Sequence, residues 1–132
     1  MRSRWCLTSE DAKKIVAACK RETAKDNTEA TIAIVDQGGD LLYLERPDSH
    51  SPNAIDMATG KARTAAFRGR PSASLEERVK ERPGFITMPN TIAVRGGIPL
   101  FYNGECVGGV GISGLDNKDE LVAMAAAKGL ES

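Results

Sequence analysis

The residues able to do chemistry gather in the middle of the chain. His50 is the only histidine, and it sits among Asp48, Ser49, Ser51 and Pro52. An imidazole can bind a metal, ligate heme or move protons near neutral pH. An exposed loop histidine is the plain alternative. The adjoining serines and aspartate are too close in sequence to make a nucleophilic triad easy to build. Downstream, Asp56, Gly60, Arg63 and Phe67 recur every three or four residues, with Lys61 and Thr64 flanking a face of alanines. A lysine against an apolar surface can act as a base or an anion anchor. It can equally be solvated, or paired with an acid such as Asp56. Arg46 and Arg95 each stand where a strand meets a loop, Arg95 directly before Gly96 and Gly97. A forked guanidinium there suits a carboxylate, and surface ion pairing is the competing role.

The elements that must position these groups follow from periodicity and turn chemistry. Thr8 or Ser9 caps a first helix, with Ala12, Ile15, Val16 and Cys19 on its apolar face and Asn27 past its end. Residues 31–35 and 41–45 are rich in β-formers, and Gly38 and Gly39 between them make a hairpin. A helix over 53–67 carries Ile55, Ala58, Ala62, Ala65 and Ala66 as a face for close packing on a sheet. A short helix covers 72–80. Residues 83–97 form a loop with a short strand near 92–94. Residues 96–114 form a second hairpin around Asn103-Gly104, a pair suited to the positive φ angles of a type I′ turn. Gly108, Gly109 and Gly111 let a helix or ligand approach the backbone and are not a dinucleotide fingerprint, because no βαβ unit surrounds them. Asp116 or Asn117 caps a last helix, burying Leu121, Val122, Met124 and Ala125.

With 132 residues, 41% of them hydrophobic, the chain suits one domain over 1–132 with no need of a disulfide or metal staple. Lysine plus arginine equals aspartate plus glutamate at 18 each, which argues against nucleic-acid or membrane-surface binding by bulk charge and tolerates self-association. Cys6, Cys19 and Cys106 have no metal-ligand spacing and read as reduced thiols in a cytoplasmic protein. No apolar run nears the roughly 20 residues of a membrane span. GxSxG, P-loop and HExxH signatures are missing.

Taken together, Arg46-Pro-Asp48, Ile55-Asp-Met-Ala58, Lys61-Ala62 and Thr64-Ala65 resemble the middle motif of the GlcG/HbpS-like family. This family is often labelled heme-degrading and includes PduO C-terminal-like domains. Gly96-Gly-Ile-Pro-Leu100, Asn103-Gly-Glu105, Gly108 and Gly111-Ile-Ser-Gly114 resemble its C-terminal motif. Leu7-Thr8 and Val35-Asp36 with Gly38-Gly39 resemble its N-terminal part. The resemblance implies an α+β fold: a profilin-like α-β-α sandwich with an antiparallel sheet of about five strands. It also implies homo-oligomers built from dimers, often hexamers or octamers. Members include heme-binding redox sensors, a heme-binding accessory domain of the corrinoid pathway, and proteins of glycolate or aromatic-compound catabolism. Heme ligation in the family can use a first-helix histidine; residues 12–25 hold none and offer Cys19 as their one soft ligand, and His50, Met57 or Met88 could serve in its place.

Three functions are weighed. The first is a cofactor-free tautomerase, isomerase or related hydrolytic enzyme for a small unsaturated or oxo carboxylic acid, using no metal. Lys61 or Asp56 would move the proton, Arg46 and Arg95 would hold the carboxylate and stabilise enolate charge, and Asp48, His50, Thr64, Gly96 and Gly97 would line the site. The alternative is a heme- or corrinoid-binding or heme-degrading protein. The third is a non-catalytic oligomeric accessory protein.

Overall fold

The computed structural model describes residues 1–131. Its order is α1 (Ser9–Ala24), β1 (Thr31–Asp36), β2 (Leu41–Glu45), α2 (Asn53–Arg68), α3 (Ala73–Glu81), β3 (Gly97–Tyr102), β4 (Glu105–Ser113) and α4 (Asp119–Ala127). The strands form one antiparallel sheet in the order β2-β1-β4-β3. Alternation along β1 divides the core. Ile32 and Ile34 join Val110 and Ile112 of β4 beneath α1 and α4, while Ala33 and Val35 face Ala58, Ala62 and Ala66 of α2. The result is the α-β-α sandwich expected.

Local rules explain the boundaries. Thr8 and Asp11 make a reciprocal capping box at the start of α1. Gly69, at φ 64°, ends α2 in the left-handed conformation. Asn103 and Gly104, at φ 48° and 78°, close the second hairpin as its sequence demands.

Alanines on α2 and glycines on β4 bring helix and strand backbones together. A Cβ on Gly109 would collide with the Ala62 carbonyl, and one on Gly111 with the Ala58 carbonyl. This close approach fixes the height of α2 over the sheet, and with it the position of Lys61.

The sheet and the last helix differ from expectation. The sheet has four strands, not about five, because residues 92–94 form no strand. Side chains take their backbone groups instead. Thr64 Oγ1 accepts from Ile92 N at 2.9 Å while donating to Gly60 O at 2.7 Å, with Ile92 O 3.2 Å away, and Ser72 Oγ donates to Val94 O at 2.7 Å. The last helix is also rotated from its expected phase. Val122, Ala123 and Ala126 are buried, whereas Leu121 and Met124 are exposed. Neither Asp116 nor Asn117 caps it: a 3-10 turn over Asp116–Lys118 precedes it, with Asp116 at φ 52°.

Candidate functional site

A cleft of about 690 Å³ opens where the start of α2, the end of β4 and the segment before β3 meet. His50, Met57, Lys61, Glu76, Arg95, Ser113 and Asp119 line it.

His50 is held from three directions. Its Nδ1 lies 2.7 Å from Oγ1 of the fully buried Thr31, the first residue of β1. Its ring lies against Gly114, where a Cβ would strike the imidazole. Its backbone carbonyl accepts from Arg46 Nη1. Among the described residues Nε2 has no hydrogen-bond partner, and the residue lines the cleft.

Lys61 sits deeper, 2% exposed. Its ammonium donates to Ile112 O at 2.9 Å and to Asp119 Oδ2 at 3.0 Å. Asp119 is itself fixed, its Oδ1 accepting from Leu115 N at 2.8 Å. A buried charge needs a partner and hydrogen bonds to persist, and Asp119 supplies both. The pair ties α2 to β4 and α4 directly beneath the cleft. On the wall, Arg95 is half-exposed and its Nε and Nη2 donate to Glu76 Oε2 at 3.3 Å.

The expected site residues divide accordingly. His50, Lys61 and Arg95 share the cleft, and Gly96 lies over the Lys61 side chain. Asp56 does not join them: five residues from Lys61, it falls on another side of α2 and is exposed. Arg46 and Asp48 are exposed outside the cleft, and Arg46 supports the His50 loop from behind. Thr64 is buried and holds the 92–94 segment. Gly97 packs on the Lys61 carbonyl. Asp119 was legible only as an acid at a helix start, 58 positions from its lysine. Glu76 carried no signal, and Ser113 stood only as a member of the Gly111–Gly114 motif. Among the described residues no group of three or more His, Cys, Asp and Glu side chains could hold a metal ion, and no helix is long and apolar enough to cross a membrane.

Comparison with known proteins adds independent constraints. A family model described as "Haem degrading protein HbpS-like" matches residues 7–128. The Escherichia coli K12 protein GlcG is 40% identical over 114 residues, covering 86% of this chain and 85% of that protein. The crystal structure of a double mutant of Streptomyces reticuli HbpS has a TM-score of 0.89 at 32% identity, covering 96% of this chain and 88% of that one. A crystal structure of a PduOC:heme complex has a TM-score of 0.82 over 95% of each chain; at 22% identity it supports the fold alone. These findings overturn the expectation of a cofactor-free tautomerase or isomerase. The family is described by heme chemistry; of the two groups offered for proton transfer, Asp56 is remote from the cleft and Lys61 is bound to Asp119.

Proposed function

The chain belongs to the HbpS-like family, and on that footing we propose that its cleft binds heme through His50. The observation that carries this reading is the placement of His50: a lone imidazole lining a cleft of about 690 Å³, with Nδ1 against a buried hydroxyl and Nε2 unpartnered among the described residues.

The donor set suits heme. In the tautomer whose Nδ1–H donates to Thr31 Oγ1, the lone pair is on Nε2, as an iron ligand requires. Met57 places a thioether on the same cleft, and Arg95 brings a guanidinium to its wall. Imidazole and thioether are ligands that would suit heme iron, and arginine would suit a heme carboxylate. Heme, when bound, supplies a redox-active iron. The chain orients the imidazole through Thr31, Gly114 and the Arg46 contact, and it supplies polar groups at the cleft floor. The histidine comes from the loop after β2 and not from α1, which carries none.

Titration with ferric heme tests the reading. The wild-type chain should give a saturable, red-shifted Soret band at one equivalent. His50→Ala should weaken binding at least about tenfold, a loss of roughly 1.4 kcal/mol. No spectral change on the wild-type chain would refute the proposal. The same reading takes the protein as a homo-oligomer. Its support is the exposure of Phe67, Ile86, Phe101, Tyr102, Leu121 and Met124. Light scattering on the eluting protein should give a mass of at least two chains; a monomer at micromolar concentration would remove that part.

A further inference from the structure

Among the described residues Lys61 is the only buried lysine or arginine, and its hydrogen bonds are incomplete. An ammonium has three N–H donors. Ile112 O and Asp119 Oδ2 take two, and no acceptor among the described residues takes the third. Gly96, at φ 123°, covers one flank of the ammonium: a Cβ there would come within 3.0 Å of Nζ. Glycine thus leaves space beside a charge that lines the cleft.

Two neighbours are similarly uncommitted. Ser113 Oγ makes no hydrogen bond among the described residues, and Arg95 engages Glu76 through Nε and Nη2 only, leaving Nη1. The opposing charges are Glu76, Asp116 and Asp119. Asp119 divides its oxygens between Lys61 and the Leu115 N–H, and Glu76 between the Arg95 guanidinium and the Arg95 N–H. Asp116 has no cation within 4.0 Å among the described residues and stands exposed at the rim. Three carboxylates against two cations disfavour a dianion. They leave room for a single carboxylate placed directly on the free donors, where charge-assisted hydrogen bonds are strongest.

We propose that the third N–H of Lys61, with Ser113 Oγ and Arg95 Nη1, forms a subsite for one carboxylate of a cleft ligand. Two sources share that chemistry: a carboxylate side chain of a tetrapyrrole, or a free monocarboxylic acid. The first rests on the heme reading above; the second does not.

The test has two arms on the full chain. In one, hemin and hemin dimethyl ester are titrated by absorbance. In the other, propionate is added at constant ionic strength while the Lys61 ammonium resonance and the Tm are followed. A tetrapyrrole carboxylate predicts that hemin binds at least about tenfold tighter than its ester, as one such bond is worth. That preference should vanish in Lys61→Met/Asp119→Leu, which removes the pair without stranding a charge. A free acid predicts a saturable shift of the Lys61 resonance and a raised Tm with propionate, while hemin and ester bind alike. Equal binding of hemin and ester together with an unmoved Lys61 resonance overturns the subsite. If hemin does not bind at all, the heme reading fails and the propionate arm alone decides: a saturable shift sustains the subsite, an unmoved resonance overturns it. Both comparisons run on wild-type protein, so a misfolded double variant leaves them decisive.

Discussion

The Lys61–Asp119 pair is where a single residue matters most to this fold. Removing one partner leaves the other charge buried. Lys61→Met or Asp119→Ala alone should therefore cost about 3–5 kcal/mol in urea unfolding, and Lys61→Met/Asp119→Leu should recover most of that loss. A loss in the double variant equal to the sum of the two single losses would show that the charges are not coupled. A second residue-scale prediction concerns alkaline pH. Burial, and after it the charge of Glu45, pushes the Cys19 thiol from 9.0 up to about 11. Its hydrogen bond to Glu45 pushes the Tyr43 phenol from 10.0 up to about 12. A raised acid contributes its full stability below its unfolded pKa and loses it as pH rises toward the folded value. Stability should thus fall from pH 9 toward 12, and Cys19→Ala should flatten the part between 9 and 11. Urea midpoints measured across that range check the slope; an unchanged slope in the variant would contradict it. Glu45 has the opposite sign. The Tyr43 hydrogen bond holds its carboxyl below 4.5, so its contribution is lost only as pH falls through that lowered value. At this scale the sequence was partly legible. His50 is a lone imidazole and Lys61 interrupts an alanine face, so both stood out. Asp119 did not, because a pairing across 58 positions leaves no local trace.

The elements were more legible than the site, because their signals are local. Capping at Thr8, the Asn103-Gly104 turn and the alanine face of α2 each act over a few residues. The failures came where tertiary contacts override local pattern. Residues 92–94 look like a strand, yet Thr64 and Ser72 take the hydrogen bonds a ladder would use. In α4 a run of apolar residues fits more than one helical phase, and packing on α1 selects Val122, Ala123 and Ala126. The contact of α2 with β4 yields an element-scale prediction. Gly111→Ala should destabilise by about 1–3 kcal/mol or more, because the new methyl meets the Ala58 carbonyl of a rigid helix. Gly84→Ala, with nothing within 4 Å, is the control and should change stability little. Equal effects at the two sites would contradict the packing described.

At the scale of the whole molecule, the sandwich brings distant stretches to one cleft. The loop after β2 supplies His50, α2 supplies Met57 and Lys61, the segment before β3 supplies Arg95, and β4 and α4 supply Ser113 and Asp119. Family motifs in the sequence indicated the architecture, since they span nearly the whole chain. They did not indicate which motif residues converge, because Asp56, Arg46 and Lys61 look equally chemical until the fold separates them. The proposed heme ligand of this cleft is His50. Electron paramagnetic resonance of the ferric heme complex tests it most directly, comparing the wild-type chain with His50→Ala. A histidine-ligated signal is expected in the wild-type complex and should disappear in the variant. The same signal in both proteins, or no complex with the wild-type chain, would contradict it.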